Sequence, residues 1–163
     1  GSEMCIRDSY KEIRMELNDE IMIAASKTRV YEALNDTEIL TACIPGCEEL
    51  IRHSDTELEA KVVLKIGPVK AKFTGNVTLD QTGAPESFSL TGKGNGGAAG
   101  FAKGGADVTL IEQGDGTLLK YTAKAEIGGK LAQLGSRLIV GTAKKLASKF
   151  FVKFAELAVE TKT

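Results

Sequence analysis

From Glu57 to Leu79 apolar and polar residues alternate, with one interruption at Gly67-Pro68. Leu58, Ala60, Val62, Leu64 and Ile66 fall on one side of the first run, and Glu57, Glu59, Lys61 and Lys65 on the other. Past the turn, Val69, Ala71, Phe73, Gly75, Val77 and Leu79 oppose Lys70, Lys72, Thr74, Asn76 and Thr78. A period of two is the signature of strands, because successive side chains point to opposite faces, and Gly-Pro closes them into a hairpin. One apolar and one wet face means an antiparallel sheet rather than a parallel sheet covered on both sides. Strands this long twist and curve the sheet, and the apolar face of the curve needs a cover.

The last thirty or so residues supply that cover. Leu131, Leu134, Leu138, Leu146, Phe150, Phe154 and Leu157 approximate one helical stripe between about Gly129 and Val159. A ~30-residue helix spans roughly 45 Å, enough to cross a whole sheet. Elsewhere, residues 15–23 read as a strand, Ser26 caps a short helix over Lys27 to Leu34, and Asp36 caps a second ending before Pro45-Gly46. Glu48 to Arg52, Ser87 to Lys93, Ala106 to Glu112 and Thr117 to Ile127 complete the strands. The reading is α+β: a helix-grip fold, in which a curved antiparallel sheet wraps a long C-terminal helix and two short helices follow the first strand. Residues 15–160 form this one domain. Residues 1–14 lack periodicity, open on a Gly-Ser resembling a tag remnant, and read as an N-terminal extension or tag, the alternative being a regulatory arm.

Composition narrows the function classes. Lys+Arg 21 against Asp+Glu 22 gives a net charge of −1, which argues against nucleic acid as a partner. One His excludes multi-histidine metal centres and leaves a triad a single candidate base, so no metal site and no catalytic residue is assigned. Cys5, Cys43 and Cys47 are an odd set without a secretory signal, pointing to reduced thiols in the cytoplasm. Cys43 and Cys47 could chelate a metal only with partners from elsewhere; the plainer reading is two small residues at a helix–strand junction.

The segment from Gly92 to Gly105 concentrates the chain's glycines. Gly94, Gly96 and Ala99 echo a dinucleotide fingerprint, but strand-like residues follow instead of a helix. Two other readings are compatible: a bulged hairpin in a bent sheet, and a flexible lip at a cavity mouth with Phe101 as an apolar gate. The terminal helix adds Gly135, Ser136, Gly141, Thr142 and Ala143, and the facing sheet Ala60, Ala71, Gly75, Ala123 and Ala125. Small residues on both walls leave a hollow or let the walls touch. Candidate ligand-binding residues are Ala71, Phe73, Gly97, Ala98, Gly100, Phe101, Tyr121, Leu134, Gly135 and Leu138, with Leu134 and Leu138 expected to point inward. Lys144, Lys145, Lys149 and Lys153 belong to a basic run without an acid before Glu156. They either complete the helix dipole or contact an anionic membrane surface or acidic partner.

Four blocks, in order, resemble the G-subunit family of carbon monoxide dehydrogenases: Cys43-Ile44-Pro45-Gly46-Cys47-Glu48, the run from Lys65 to Phe73, the run from Gly96 to Gly104, and the run from Gly128 to Ile139. The resemblance covers roughly Met15 to Leu157. It implies a START-like, Bet v 1-like (SRPBCC) domain with an internal apolar cavity. It further implies a non-catalytic accessory protein of a molybdenum-containing hydroxylase of the carbon monoxide dehydrogenase type. Such a protein would bind menaquinone, ubiquinone or another lipid without a covalent cofactor, and would help couple the dehydrogenase to the membrane. The expected location is the cytoplasm, with peripheral contact at the inner face of the cell membrane. The rival readings are a cyclase or dehydratase on the same superfold and a purely structural adaptor without a ligand. An enzyme would need a polar pair inside the pocket; Tyr121 is the best internal acid, and no inward base accompanies it.

Overall fold

The computed structural model describes residues 12–160. The alternating runs form strands that join into one seven-stranded antiparallel sheet: β1 (Glu12–Ile23), β2 (Cys47–Arg52), β3 (Glu57–Ile66), β4 (Val69–Asp80), β5 (Ser87–Asn95), β6 (Phe101–Gln113) and β7 (Gly116–Gly128), in the spatial order β1-β7-β6-β5-β4-β3-β2. The β3–β4 hairpin pairs Ile66 with Val69 and Glu57 with Thr78, so Leu58, Ala60, Val62 and Leu64 line up with Val77, Gly75, Phe73 and Ala71 on the concave face. The first strand starts at Glu12, ahead of the expected Met15, because Ile13 is buried against the C-terminal end of β7, where it pairs with Ile127. The rest of the proposed extension, residues 1–11, lies outside the described residues.

Helices α1 (Lys27–Leu34) and α2 (Thr37–Cys43) join β1 to β2. Their caps are those the sequence indicates. The Ser26 hydroxyl accepts from Arg29 N–H at 3.1 Å, and the Asp36 carboxylate accepts from Glu38 N–H at 2.9 Å and Ile39 N–H at 3.4 Å. Fully buried Thr117 donates its hydroxyl to the Ala25 carbonyl at 2.7 Å, tying the start of β7 to the approach to α1.

The C-terminal cover is two elements, not one helix. A 3₁₀ turn over Gly129–Leu134 ends at Gly135, and α3 runs over Ser136–Glu160. Gly135 has φ +96°, a left-handed conformation that side chains resist, so the helical stripe is reset there. Leu134 packs against the core, but Leu138 is 37% exposed and the inward place goes to Ile139, 4% exposed. The expectation that Leu138 points inward is thereby corrected.

The interior is packed at both ends. Near α1 and α2, Val30, Ile39, Phe88, Leu119 and Phe154 close one core; at the other end Ile13, Ile66, Phe73, Ile127 and Ile139 close a second. Each large side chain fully buried there contributes roughly 1.5–3 kcal/mol. The glycine segment belongs to the second end. It forms a β5–β6 hairpin closed by a 3₁₀ turn over Gly97–Ala99, and a strand follows, so the dinucleotide reading fails. Gly100, at φ +119°, lets the turn lie on Gly128 and Gly129; a Cβ there would strike the Gly128 carbonyl oxygen.

Candidate functional site

Between the two packed ends the middle of the molecule is hollow. The concave face carries Ala60, Gly75, Gly92, Gly94, Ala106 and Ala123 on successive strands, and α3 answers with Ala143 and Ala147. Side chains this small cannot meet across the space that the bulky ends hold open. Two chambers result. The first, about 360 Å³, lies between β3–β5 and the first half of α3, walled by Val62, Leu64, Ile66, Phe73, Ile139 and Leu146. The second, about 380 Å³, lies nearer α1 and α2, walled by Leu58, Phe88, Leu119, Tyr121, Phe150 and Phe151. Ala60 and Val77 line both. Each volume falls in the range of small-molecule sites.

Polar groups are few. The second chamber is lined by Asn35 and Tyr121, the first by Asn76, Lys93 and Thr142. Asn35 is committed elsewhere: its amide donates to the Tyr31 carbonyl at 2.9 Å and its side-chain oxygen accepts from Gln81 at 2.9 Å. Burial pushes the Tyr121 phenol above its ordinary value, and the negative charge of Asp19, its register partner on β1, pushes the same way. The phenol therefore stays protonated and is available as a hydrogen-bond donor. Among the described residues neither chamber is lined by a carboxylate or a histidine. His53 lies outside both, with Nε2 2.9 Å from Glu59 Oε1.

Of the ligand-binding candidates, Phe73 stands in the first chamber and Tyr121 in the second. Ala71 is buried in the packed end beside Phe73. Gly97, Ala98 and Gly100 sit in or beside the turn that closes that end, away from both chambers. The Phe101 ring lies over Gly128, where it covers backbone and gates neither chamber. Gly135 forms the break before α3, while Leu134 and Leu138 border a shallow depression on the outer surface with Arg137 and Lys145. Other chamber residues, among them Val77 and Phe150, had one available signal, the alternation of β4 and the stripe of α3; Phe151 stands beside that stripe and had none.

Lys144, Lys145, Lys149 and Lys153 are exposed on α3, and none approaches a carboxylate within 4 Å among the described residues. Lys144 also borders a groove of about 610 Å³ between α3 and β1, with Glu16, Asp19 and Glu20 on the opposite side. Cys43 is buried at the end of α2 and its thiol is pushed up to about 11 by burial, with Lys153 pulling weakly downward. Cys47 opens β2, and its thiol donates to the Glu49 carbonyl at 3.6 Å. Cys43 and Cys47 are free, and the described residues contain no cluster of three or more metal-ligating side chains. Cys5 lies outside the described residues. No helix among them is long and apolar enough to cross a membrane.

A curved seven-stranded antiparallel sheet closed around a C-terminal helix, with two short helices after the first strand, is the helix-grip fold of the Bet v 1-like and START-like proteins. Within that class the chain belongs to the CoxG family, the G subunits of carbon monoxide dehydrogenase, whose model matches residues 20–158. Among solved structures it is similar to a conserved protein from Geobacillus kaustophilus, with 31% identity, TM-score 0.84, and coverage of 90% of this chain and 97% of that one. A protein from Thermus thermophilus matches at 17% identity and TM-score 0.68, covering 91% of this chain and 100% of its own. The Zhui aromatase/cyclase from Streptomyces sp. R1128 matches at 8% identity and TM-score 0.64, over 90% of this chain and 94% of that one; at such identity the likeness is one of fold. No curated protein sequence matches.

Proposed function

We propose that this chain is a non-catalytic accessory subunit of a carbon monoxide dehydrogenase-type molybdenum hydroxylase, and that it carries a quinone or similar lipid in its two chambers. The observation that carries the reading is the pair of apolar chambers held open between packed ends. A chain that needed only to fold could have filled them with Leu or Phe, at a gain of about 25 cal/mol per Å² of apolar surface covered. The space is matched to a ligand whose own apolar surface completes the core. A quinone brings a ring for the aromatic side chains and carbonyl oxygens that can accept from Tyr121. Membership of the CoxG family supports a carbon monoxide dehydrogenase-type enzyme as the partner.

An enzyme of the cyclase type shares the fold and remains the second reading, because the Zhui aromatase/cyclase does. Acid–base work inside the cavity would rest on Tyr121, and a phenol raised above its ordinary value is a poor base at neutral pH. The unpaired lysines of α3 support a peripheral contact with the inner face of the cell membrane, from which a carrier would load. The test is native mass spectrometry of the protein purified from a quinone-containing host, followed by titration of stripped protein with menaquinone and ubiquinone. Co-purifying quinone and saturable binding are expected. A protein that is empty as purified and binds neither quinone overturns the reading.

A further inference from the structure

The two chambers are neighbours, and Ala60 and Val77 touch both. These residues stand on adjacent strands of the β3–β4 hairpin, where Ala60 opposes Gly75 and Val77 opposes Leu58. Across from them, consecutive residues of α3 divide between the chambers: Leu146 lines the first and Ala147 the second. Ala60 and Val77 therefore mark the boundary between the chambers on the sheet side, and both side chains are small. The two chambers differ in chemistry. The second chamber sets four rings, Phe88, Phe150, Phe151 and Tyr121, among aliphatic walls, and Phe150 stacks on Phe154 at 5.9 Å. Leu64, Ile66, Ile139 and Leu146 make the first mainly aliphatic, with Phe73 as its one ring.

We infer that a single elongated molecule occupies both chambers, its ring among the four aromatic side chains of the second and its aliphatic chain passing between Ala60 and Val77 into the first, so that these two residues decide whether a chain can enter. The inference rests on the cavity reading above and adds to it a shape: one ligand threaded through a waist rather than a compact ligand in one chamber. Ring faces stack on aromatic side chains, whereas a saturated or prenyl chain gains only from apolar area, which the first chamber offers. A chain that fills the first chamber exchanges its water shell for the walls of that chamber. Affinity should therefore climb with tail length until the space is full.

The experiment titrates stripped, full-length protein with a series of 2-methyl-1,4-naphthoquinones bearing no tail, a short prenyl tail and a long one, followed by fluorescence quenching. Wild-type affinity is expected to rise along the series. Ala60→Phe fills the waist and should weaken the long-tailed probe about tenfold or more relative to the tail-less one, as the chain loses its chamber. Val77→Leu narrows the same passage from the other strand and should give the same pattern in smaller measure, which keeps the test decisive if Ala60→Phe does not fold. Folded variants that bind the long-tailed probe as the wild type does overturn the threaded ligand while leaving a carrier of compact ligands standing. A wild type that binds no member of the series removes both readings together.

Discussion

Tyr121 of β7 and Phe151 of α3 stack with their ring centroids 4.9 Å apart and their planes 20° from parallel. Both rings line the second chamber, and both line the groove between α3 and β1. The stacked pair is thus the partition between an internal apolar space and a solvent-facing groove bordered by Glu16, Asp19, Glu20 and Lys144. Phe150 meets Phe151 edge-on at 5.0 Å and steadies it from the helix side. Leu17 and Ala147 complete the same wall.

Removing half of that partition should matter more to ligand exchange than to folding. Phe151 is only partly buried, so Phe151→Ala should cost about 2–3 kcal/mol, toward the low end for a lost aromatic side chain. In a domain of this size that lowers Tm by roughly 5–10 °C. The same change joins the groove to the chamber, and a bound quinone should leave several-fold faster. Stopped-flow displacement on wild type and variant at a temperature where both are folded checks this; equal release rates would mean that the ligand leaves by another way.

Gly135 and Gly141 should respond in opposite directions to the same substitution. A Cβ on either meets no atom within 4 Å, so space decides neither case. Gly135 sits at φ +96°, where Gly135→Ala strains the backbone at a cost of order 1–3 kcal/mol. Gly141 lies in regular helix on the exposed side of α3, where Gly141→Ala should stabilise by about 1 kcal/mol. Thermal melts of the two variants against wild type settle the matter.

That contrast also marks how far the chain could be read before folding. The strands were legible because alternation survives burial: every concave residue of β3 and β4 falls where the period of two puts it. The caps at Ser26 and Asp36 were legible because they are local. The break at Gly135 was not, because the leucines run on through it with helical spacing; the available signal was the Gly-Ser step, a stop followed by a good start. The hollow was legible from Ala60, Gly75 and Ala123, but its partition was not. Which rings face each other across a curved sheet depends on how Tyr121 and Phe151 meet, well separated in sequence but 4.9 Å apart in space. No sequence period encodes that.

Cys43 makes stability depend on alkaline pH in a defined direction. Its thiol titrates at about 11 when buried, against an ordinary value of 9.0 in the unfolded chain. Below pH 9 both states hold the proton and the thiol adds no pH dependence. Between 9 and 11 the unfolded chain gives up its proton first, so stability falls as pH rises and levels off above the folded value. Cys43→Ala removes this contribution. Urea melts across that range should show wild type losing more stability than the variant; parallel losses would mean that the Cys43 thiol does not set the decline.

The basic face of α3 is the remaining feature that packing does not explain. The helix-dipole account requires cations in the last turn, since the effect dies away within it. The last turn of α3 holds none, and Lys153 lies about two turns before the end at Glu160. Lys144, Lys145 and Lys149 are farther still. Val152, 59% exposed, stands among them between Lys149 and Lys153, an apolar side chain offered to solvent within a cationic surface. An anionic bilayer satisfies both parts, since each lysine near the surface contributes about 1 kcal/mol and the valine reaches the interface. Binding of this kind is weak, reversible and sensitive to salt, because the Debye length shrinks from about 10 Å at 0.1 M to 3 Å at 1 M. Co-sedimentation with anionic vesicles is expected at low salt and not with neutral ones. It should fade as salt is raised and disappear when the four lysines become glutamine, with the fold and quinone affinity intact. If the wild type ignores anionic vesicles at low salt, the cationic face belongs to an acidic protein surface, and the dehydrogenase itself is then the partner to titrate.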